Sequence, residues 1–186
     1  MAEDQTPELS IIILNYNVKD LLLNCLDSIF QSKGKLDRWQ VIVVDNASSD
    51  GSVEAVKDRY QVIGMDSRFR GNDRRDGHDN VVELIENKEN IGFAGGNNIG
   101  VKKAKAPVIL FLNPDTVIKG SAIQKSLEKL LSDPDIGALS CKVDLPDGRM
   151  DYSSHRGFPT PWNSFAYFSG LAKKFPSSPL FAGYTA

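Results

Sequence analysis

The feature that most constrains this chain is a set of short, nearly uninterrupted apolar runs separated by helix-length stretches. "LSIIIL" (Leu9 to Leu14), "QVIVV" (Gln40 to Val44), "VVELIEN" from Val81 and "PVILFL" (Pro107 to Leu112) have the length of strands. They lack the polar alternation of a half-exposed strand, which is the pattern of strands buried on both faces. After "NYN", Leu21, Leu22, Cys25, Leu26 and Ile29 recur at helical spacing. Asn17 is placed to cap that helix, with Asp20 in its acidic first turn. "VEAVKDRY" reads as a short helix, "GGNNIGVKKAKA" as a glycine-opened helix and "SAIQKSLEKLLSD" as an amphipathic one. "IGALSCKV" reads as a later strand, and "LPDGRMD" as a hairpin turn with Asp147-Gly148 at its tip. Strand–helix alternation of this kind predicts an α/β domain built on a mainly parallel sheet.

A chain of 186 residues, 41% hydrophobic and 25% charged, with a formal net charge of −2, suits one soluble domain with an incomplete second lobe. An acidic balance argues against a surface made for nucleic acid. The apolar runs fall well short of the ~20 residues of a membrane span, and "MAEDQTPELS" lacks a signal-peptide pattern. Cys25 and Cys141 both lie in apolar segments and read as small buried hydrophobes in a reducing compartment.

In a parallel sheet the loops beyond the carboxyl ends of the strands converge on a ligand crevice. Here those loops are "NYN", "DNASSDG" and "NPDT". Asp45 and Asp115 follow buried strands, and either one alone is equally well a turn former or a helix cap. Two on one sheet edge indicate a ligand site, because a carboxylate at a rigid strand end can hold Mg²⁺ or Mn²⁺, which in turn takes phosphate oxygens. The metal would supply the positive charge that an acidic protein lacks. No GxxxxGK[ST] or GxGxxG follows the first strand, which weighs against P-loop and dinucleotide readings.

"SIIILNYNVKDLLLNCLDSI", "VIVVDNASSDGSVE", "ENKENIGFAGGNNIGVKKA" and "VILFLNPDTVI" closely resemble family 2 glycosyltransferases of the GT-A fold. The resemblance is greatest to bacterial rhamnosyltransferase-like members that build surface polysaccharides, and runs from about Leu9 to Phe181. It implies that Leu14, Asn15 and Tyr16 border the base and that Asp45 accepts a hydrogen bond from the imide N–H of a pyrimidine. "NPD" stands where the family has its DxD motif, so Asp115 would be the metal ligand and Asn113 a partner near the ribose or sugar. Asn97 occupies the place of an arginine found in many members, and Asn98 follows it. For Asn97 and Asn98, helix capping beside Gly95 and Gly96 is as good a reading as ligand contact. Tyr16 could equally wedge the turn as a half-buried aromatic. His155 and Arg156 read as surface or packing residues rather than acceptor contacts.

The resemblance further implies an inverting transfer from a UDP- or dTDP-linked sugar to a glycan or lipid-linked acceptor, with a carboxylate base. No match to the family's base motif occurs before "FAGYTA", and Asp144, Asp147 and Asp151 are not nominated for that role. The expectation is a flexible N-terminus over 1–8, a GT-A nucleotide-sugar-binding domain over 9–145, and a partial acceptor-side segment over 146–186. This places the protein in the cytoplasm, at the inner face of a membrane if the acceptor is lipid-linked, with "FSGLAKKF" the candidate for peripheral association. The competing readings are a non-catalytic gene remnant or nucleotide-sugar-binding module, and a nucleotidyltransferase. The last lacks its glycine-rich basic loop after the first strand.

"MDSRFRGNDRRDGHDN", Met65 to Asn80, fits none of this. Its four arginines and four aspartates cancel, which suits neither a phosphate backbone nor a metal site around the lone His78. The composition is that of a disordered surface loop. The run over 64–80 resembles a short repeated DNA element read through in frame, inserted where removal would leave fold and nucleotide binding intact.

Overall fold

The computed structural model describes residues 6–32, 38–63, 80–151, 154 and 160–183. The insert, apart from Asn80, and His155 and Arg156 lie outside these. The chain forms two units, Met1–Leu127 and Glu128–Ala186.

The first unit carries β1 (Leu9–Asn15), α1 (Lys19–Gln31), β2 (Trp39–Asp45), α2 (Ser52–Arg59), β3 (Gln61–Ile63), β4 (Val81–Glu86), α3 (Gly92–Lys103) and β5 (Val108–Leu112). α4 (Ala122–Leu131) follows. All strand pairs are parallel, in the order β3-β4-β2-β1-β5. Successive side chains of a strand point to opposite faces, and the core divides accordingly. Ile11 and Ile13 of β1, with Val41 and Val43 of β2, pack under Leu22, Leu26 and Ile29 of α1, Val53 and Val56 of α2, and Ile123 and Leu127 of α4. Ile12, Ile42, Val44 and Ile85 face the other way, toward Ile99 and Ala104 at α3. The two-sided burial read from the apolar runs is real for β1, β2 and β4, whereas β5, at the sheet's edge, is only partly buried and exposes Phe111. β3 was not legible because three residues carry no periodicity. It pairs parallel with β4, and parallel neighbours need a connection of about a dozen residues or more.

Two of the expected boundaries differ. Val18, not Asn17, occupies the N-cap of α1 and makes no side-chain cap bond. α3 begins at Gly92, so "GGNN" lies inside the helix rather than opening it. The chain is tied to the sheet from Glu8 onward, whose N–H donates to Arg38 O at 2.8 Å and whose carboxylate pairs with the Arg38 guanidinium.

In the second unit the hairpin at "LPDGRMD" is present. Leu145 N donates to Arg149 O at 2.7 Å, Asp144 and Met150 bridge antiparallel, and Gly148 takes the left-handed φ of 83°. The strand expected over "IGALSCKV" is absent, and Cys141 is exposed rather than buried. A strand needs a neighbour for its N–H and C=O groups, and among the described residues this unit has no sheet to supply one. α5 (Pro161–Phe168) is capped by Thr160, whose Oγ1 accepts from Asn163 N at 3.1 Å. α6 (Leu171–Lys174) is a single turn set off by Gly170 in the left-handed region. "FSGLAKKF" is thus no continuous amphipathic helix.

Candidate functional site

Parallel pairing brings every strand's carboxyl end to one edge of the sheet. The register places Asn15 beside Asp45 and Asp45 beside Glu86, while Ile13 pairs with Leu112. Asn113 therefore continues from β5 next to the end of β1. The chain builds outward from β1 on one side through β2 and β4, then returns to its other side with β5. Such a switch of direction is where open α/β sheets bind ligands. Asn15, Tyr16, Asp45, Asn113 and Asp115 are gathered there.

Asp45 is buried at the end of β2, and both of its oxygens are in use. Oδ1 accepts from Asn15 Nδ2 at 2.7 Å, and Oδ2 accepts from Ser48 N at 2.8 Å. Asn15 Nδ2 also reaches Ser48 Oγ at 3.1 Å, and Asn17 N donates to the same oxygen at 2.9 Å. Asn17 Oδ1 returns the favour by accepting from Ser49 N at 2.8 Å. "NYN" and "DNASSDG" are thus one folded unit. Two of its residues hold left-handed backbone, Asn17 at φ 54° and Ala47 at φ 63°. Asn visits that region readily; alanine there is strained. Asn15 Oδ1 is fully buried and has no hydrogen-bond partner among the described residues. Buried acceptors without a donor are few in native proteins, and ordered water, a bound group or local strain accounts for them.

Asp50 was not singled out from sequence, yet it caps two helices at once. Its Oδ2 accepts from Lys19 N at 2.8 Å at the start of α1, and its Oδ1 from Ser52 N at 3.0 Å at the start of α2. Partial desolvation raises its carboxyl pKa. Hydrogen bonds from the Ser52 hydroxyl and from the N–H groups of Lys19 and Ser52 outweigh that and hold it below the ordinary carboxylate value. A lowered folded-state pKa means stability present above the unfolded pKa and lost as pH falls through the folded one. Asp50→Ala is expected to lower Tm clearly at pH 6, with a cost of about 1 kcal/mol per lost cap. The gap to wild type should narrow as pH falls below the ordinary Asp value of about 3.9 and on through the lowered folded-state one. Melting curves across pH 3–7 check this, and a pH-independent gap would refute the carboxylate's role.

A second network was also missed. Asn87 Nδ2 donates to Asn46 Oδ1 at 2.8 Å, and Asn46 Nδ2 to Asn90 Oδ1 at 3.0 Å and Gly92 O at 3.2 Å. It ties the end of β2 to the entry of α3. The only sequence signal was the recurrence of asparagine just past strand ends.

Asp115 is exposed, in a turn where Thr116 N donates to Asn113 O at 3.1 Å. Below it, Cys25 of α1 is fully buried, with Sγ 3.7 Å from Asn113 O. Burial, with the Asp115 charge adding to it, pushes the Cys25 thiol up to about 12, so it stays a neutral S–H donor. No cluster of three His, Cys, Asp or Glu side chains occurs among the described residues. One exposed carboxylate fits Mg²⁺ or Mn²⁺ of the kind that takes one or two protein ligands and fills its shell with water and substrate phosphate. An open depression of about 400 Å³ beside the loops is lined by Asn17, Val18, Lys19, Asp20, Leu21 and Asp50. With two carboxylates against one lysine, it suits a diphosphate only with a cation present.

The other expected residues sit on α3's side of the sheet. Leu14 packs under α3, its Cδ1 just 2.2 Å from where a Cβ on Gly96 would lie. Asn97 is buried within the helix, Nδ2 donating to Phe93 O at 2.9 Å, and Asn98 is exposed on it. Neither caps the helix. Tyr16 is half exposed at the strand end, open to solvent rather than wedged into the turn.

An open parallel sheet with polar loops gathered at its carboxyl edge, and an aspartate-bearing turn at the switch point, defines an α/β domain of the nucleotide-binding type. The chain belongs to glycosyl transferase family 2, whose model matches residues 10–186. It is 31% identical over 117 residues to a poly(ribitol-phosphate) beta-glucosyltransferase of Bacillus spizizenii, covering 62% of this chain and 16% of that protein. It is 29% identical over 126 residues to a teichoic acid poly(glycerol phosphate) polymerase of Staphylococcus epidermidis, covering 66% and 15%. A glycosyltransferase of Haemophilus influenzae is 30% identical over 129 residues, covering 67% and 43%. The chain thus spans less than half the length of each of these relatives. Among solved structures, a mannosyltransferase from Pyrobaculum calidifontis in complex with GDP-Man and Mn²⁺ superposes with a TM-score of 0.60 at 27% identity, covering 82% of this chain and 39% of that one. S. aureus TarS 1-349 in complex with UDP-GlcNAc gives 0.55 at 16% identity, covering 91% and 47%, a likeness of fold alone. The fold is GT-A.

Proposed function

We propose that this chain is the donor-binding half of a glycosyltransferase that moves a sugar, rhamnose by its resemblance, from a UDP- or dTDP-linked donor to a glycan or lipid-linked acceptor in cell-surface polysaccharide synthesis. The observation that carries this is the convergence of the Asn15–Asp45–Ser48 unit and the exposed Asp115 turn on one sheet edge, in a family 2 chain. The Tyr16 ring and the first-loop polar groups would receive the pyrimidine, with Asp45 setting their geometry and accepting from the base. Asn113 would contact ribose or sugar and Asp115 would hold Mg²⁺ or Mn²⁺. When bound, that ion supplies positive charge against the leaving diphosphate. The names of the relatives, teichoic acid enzymes among them, support a surface-polymer acceptor. In the transfer, the anomeric C–O bond to diphosphate breaks, a C–O bond to the acceptor hydroxyl forms, and a carboxylate takes the hydroxyl proton.

Work at the inner membrane face fits the second unit. Residues 152–186 contain no Asp or Glu, and Trp162, Phe165 and Phe168 of α5 are exposed near Lys173 and Lys174, a composition suited to an anionic interface.

Calorimetric titration with UDP and dTDP, with and without Mn²⁺, tests donor binding. Binding is expected to be Mn²⁺-dependent and to lose that dependence in Asp115→Ala. No heat under any condition would overturn the donor site.

A further inference from the structure

Helix α1 touches both loops of the candidate site. At its N-terminus Lys19 N donates to Asp50 of the first loop, the joined unit of "NYN" and "DNASSDG". Two turns on, Cys25 and Ser28 meet the loop that carries Asp115. Cys25 Sγ lies 3.7 Å from Asn113 O at the start of that loop. Ser28 Oγ accepts from Ile118 N at 2.9 Å at its end, and donates to Cys25 O at 2.7 Å. Both side chains are buried, Cys25 at 0% and Ser28 at 9% exposure. Between the two anchor points the chain arches outward: Pro114 has no N–H to give, Asp115 is exposed, and Val117 is 60% exposed. The arch is therefore fixed at its feet by α1 and braced across by the Thr116 N to Asn113 O bond, with the carboxylate exposed at its crown. α1 itself is rigid, because Leu22, Leu26 and Ile29 are fully buried in the core.

From this geometry we infer that Ser28, assisted by Cys25, is a positioning residue that sets the Asp115 turn, and that α1 mounts this turn and the first loop on a single rigid body. Ser28 matters more than Cys25, since a hydroxyl at 2.9 Å is a strong partner and a thiol at 3.7 Å a weak one. Losing the Ser28 oxygen leaves Ile118 N without its acceptor and lets the end of the arch move. No contact between Ser28 and substrate or metal is required. The inference deepens the proposed donor site, because its functional consequence rests on Asp115 holding the metal.

The test uses the full chain as wild type, Ser28→Ala, Ser28→Thr, Cys25→Ala and Asp115→Ala. Hydrogen–deuterium exchange without metal reads the mounting directly and does not depend on the metal assignment. Ser28→Ala should raise exchange over 113–118 by about 10-fold or more, with the β1 and β2 amides unchanged, while Ser28→Thr restores protection. Calorimetry with UDP then reads the consequence. Ser28→Ala should weaken Mn²⁺-dependent binding by about 10-fold, the low end of what losing a group bonded directly to a metal ligand costs, while binding in EDTA stays within twofold. Cys25→Ala should show the same pattern at smaller amplitude. Unchanged exchange over 113–118 in Ser28→Ala overturns the inference. So does a loss of binding equal in Mn²⁺ and EDTA, which would mark a merely structural residue. Should Asp115→Ala keep full Mn²⁺ dependence, the metal assignment fails, and the exchange result alone decides the mounting.

Discussion

Asp45→Ala is expected to destabilise the protein by roughly 3 kcal/mol, on the order of 10 °C in Tm, and to abolish nucleotide binding. The reason lies in the two donors it would strand. Asn15 Nδ2 sits 2.7 Å from one carboxylate oxygen and Ser48 N 2.8 Å from the other. Each donor would lose a charge-assisted partner, and Asn15 is too buried to turn to water. Asp45→Asn should fall between the two. It preserves shape and can accept at one position, but at the other its NH₂ confronts a donor. Chemical denaturation of the three proteins, with UDP titration of each, checks the order. A loss below about 1 kcal/mol for Asp45→Ala would show that the first loop is organised by something other than this carboxylate.

The second large effect concerns the glycines of α3, where the same substitution should change sign along one helix. At Gly100 an added Cβ would lie 2.5 Å from Ile12 Cγ2. Ile12 is fully buried and β-branched, so its methyl cannot swing away. Gly100→Ala is expected to cost about 2–3 kcal/mol despite the gain in helix propensity. At Gly96 the clash is nominally closer, 2.2 Å to Leu14 Cδ1. That atom ends a rotatable side chain on a partly buried residue, so a smaller loss of about 1 kcal/mol is expected. At Gly95 the nearest atoms belong to the half-exposed Ile91 side chain at 3.3 Å. Gly95→Ala should therefore be neutral or stabilising by up to about 1 kcal/mol. Thermal melts of the three single variants give the ranking. A uniform gain at all three positions would mean that α3 responds to alanine according to propensity alone.

These two predictions draw on different kinds of information. The strand runs, their parallel pairing and the convergence of "NYN", "DNASSDG" and "NPDT" were legible because two-sided burial demands uninterrupted apolar residues, and parallel strands must end together. The family resemblance rests on those same loops. By contrast, "IGALSCKV" and "LSIIIL" look alike as strings, yet only the second found neighbours to pair with. Asn17 has an ideal cap composition, but its side chain is claimed by Ser49 N of another loop. Asp50 and Ser28 look like ordinary polar residues until the fold sets Lys19 N and Ile118 N against them.

By itself, then, the sequence determined the α/β class, the strands of the central sheet, and which edge carries the polar loops. Those follow from hydrophobic periodicity and chain direction, which are local quantities. Tertiary structure alone decided that Asp45 is a buried organiser while Asp115 is exposed, that Gly96 and Gly100 let α3 lie against β1, and that α1 holds both loops of the site. Each of these depends on hydrogen-bond partners or atomic contacts far away in the chain, and no local pattern encodes a partner that only folding brings within reach.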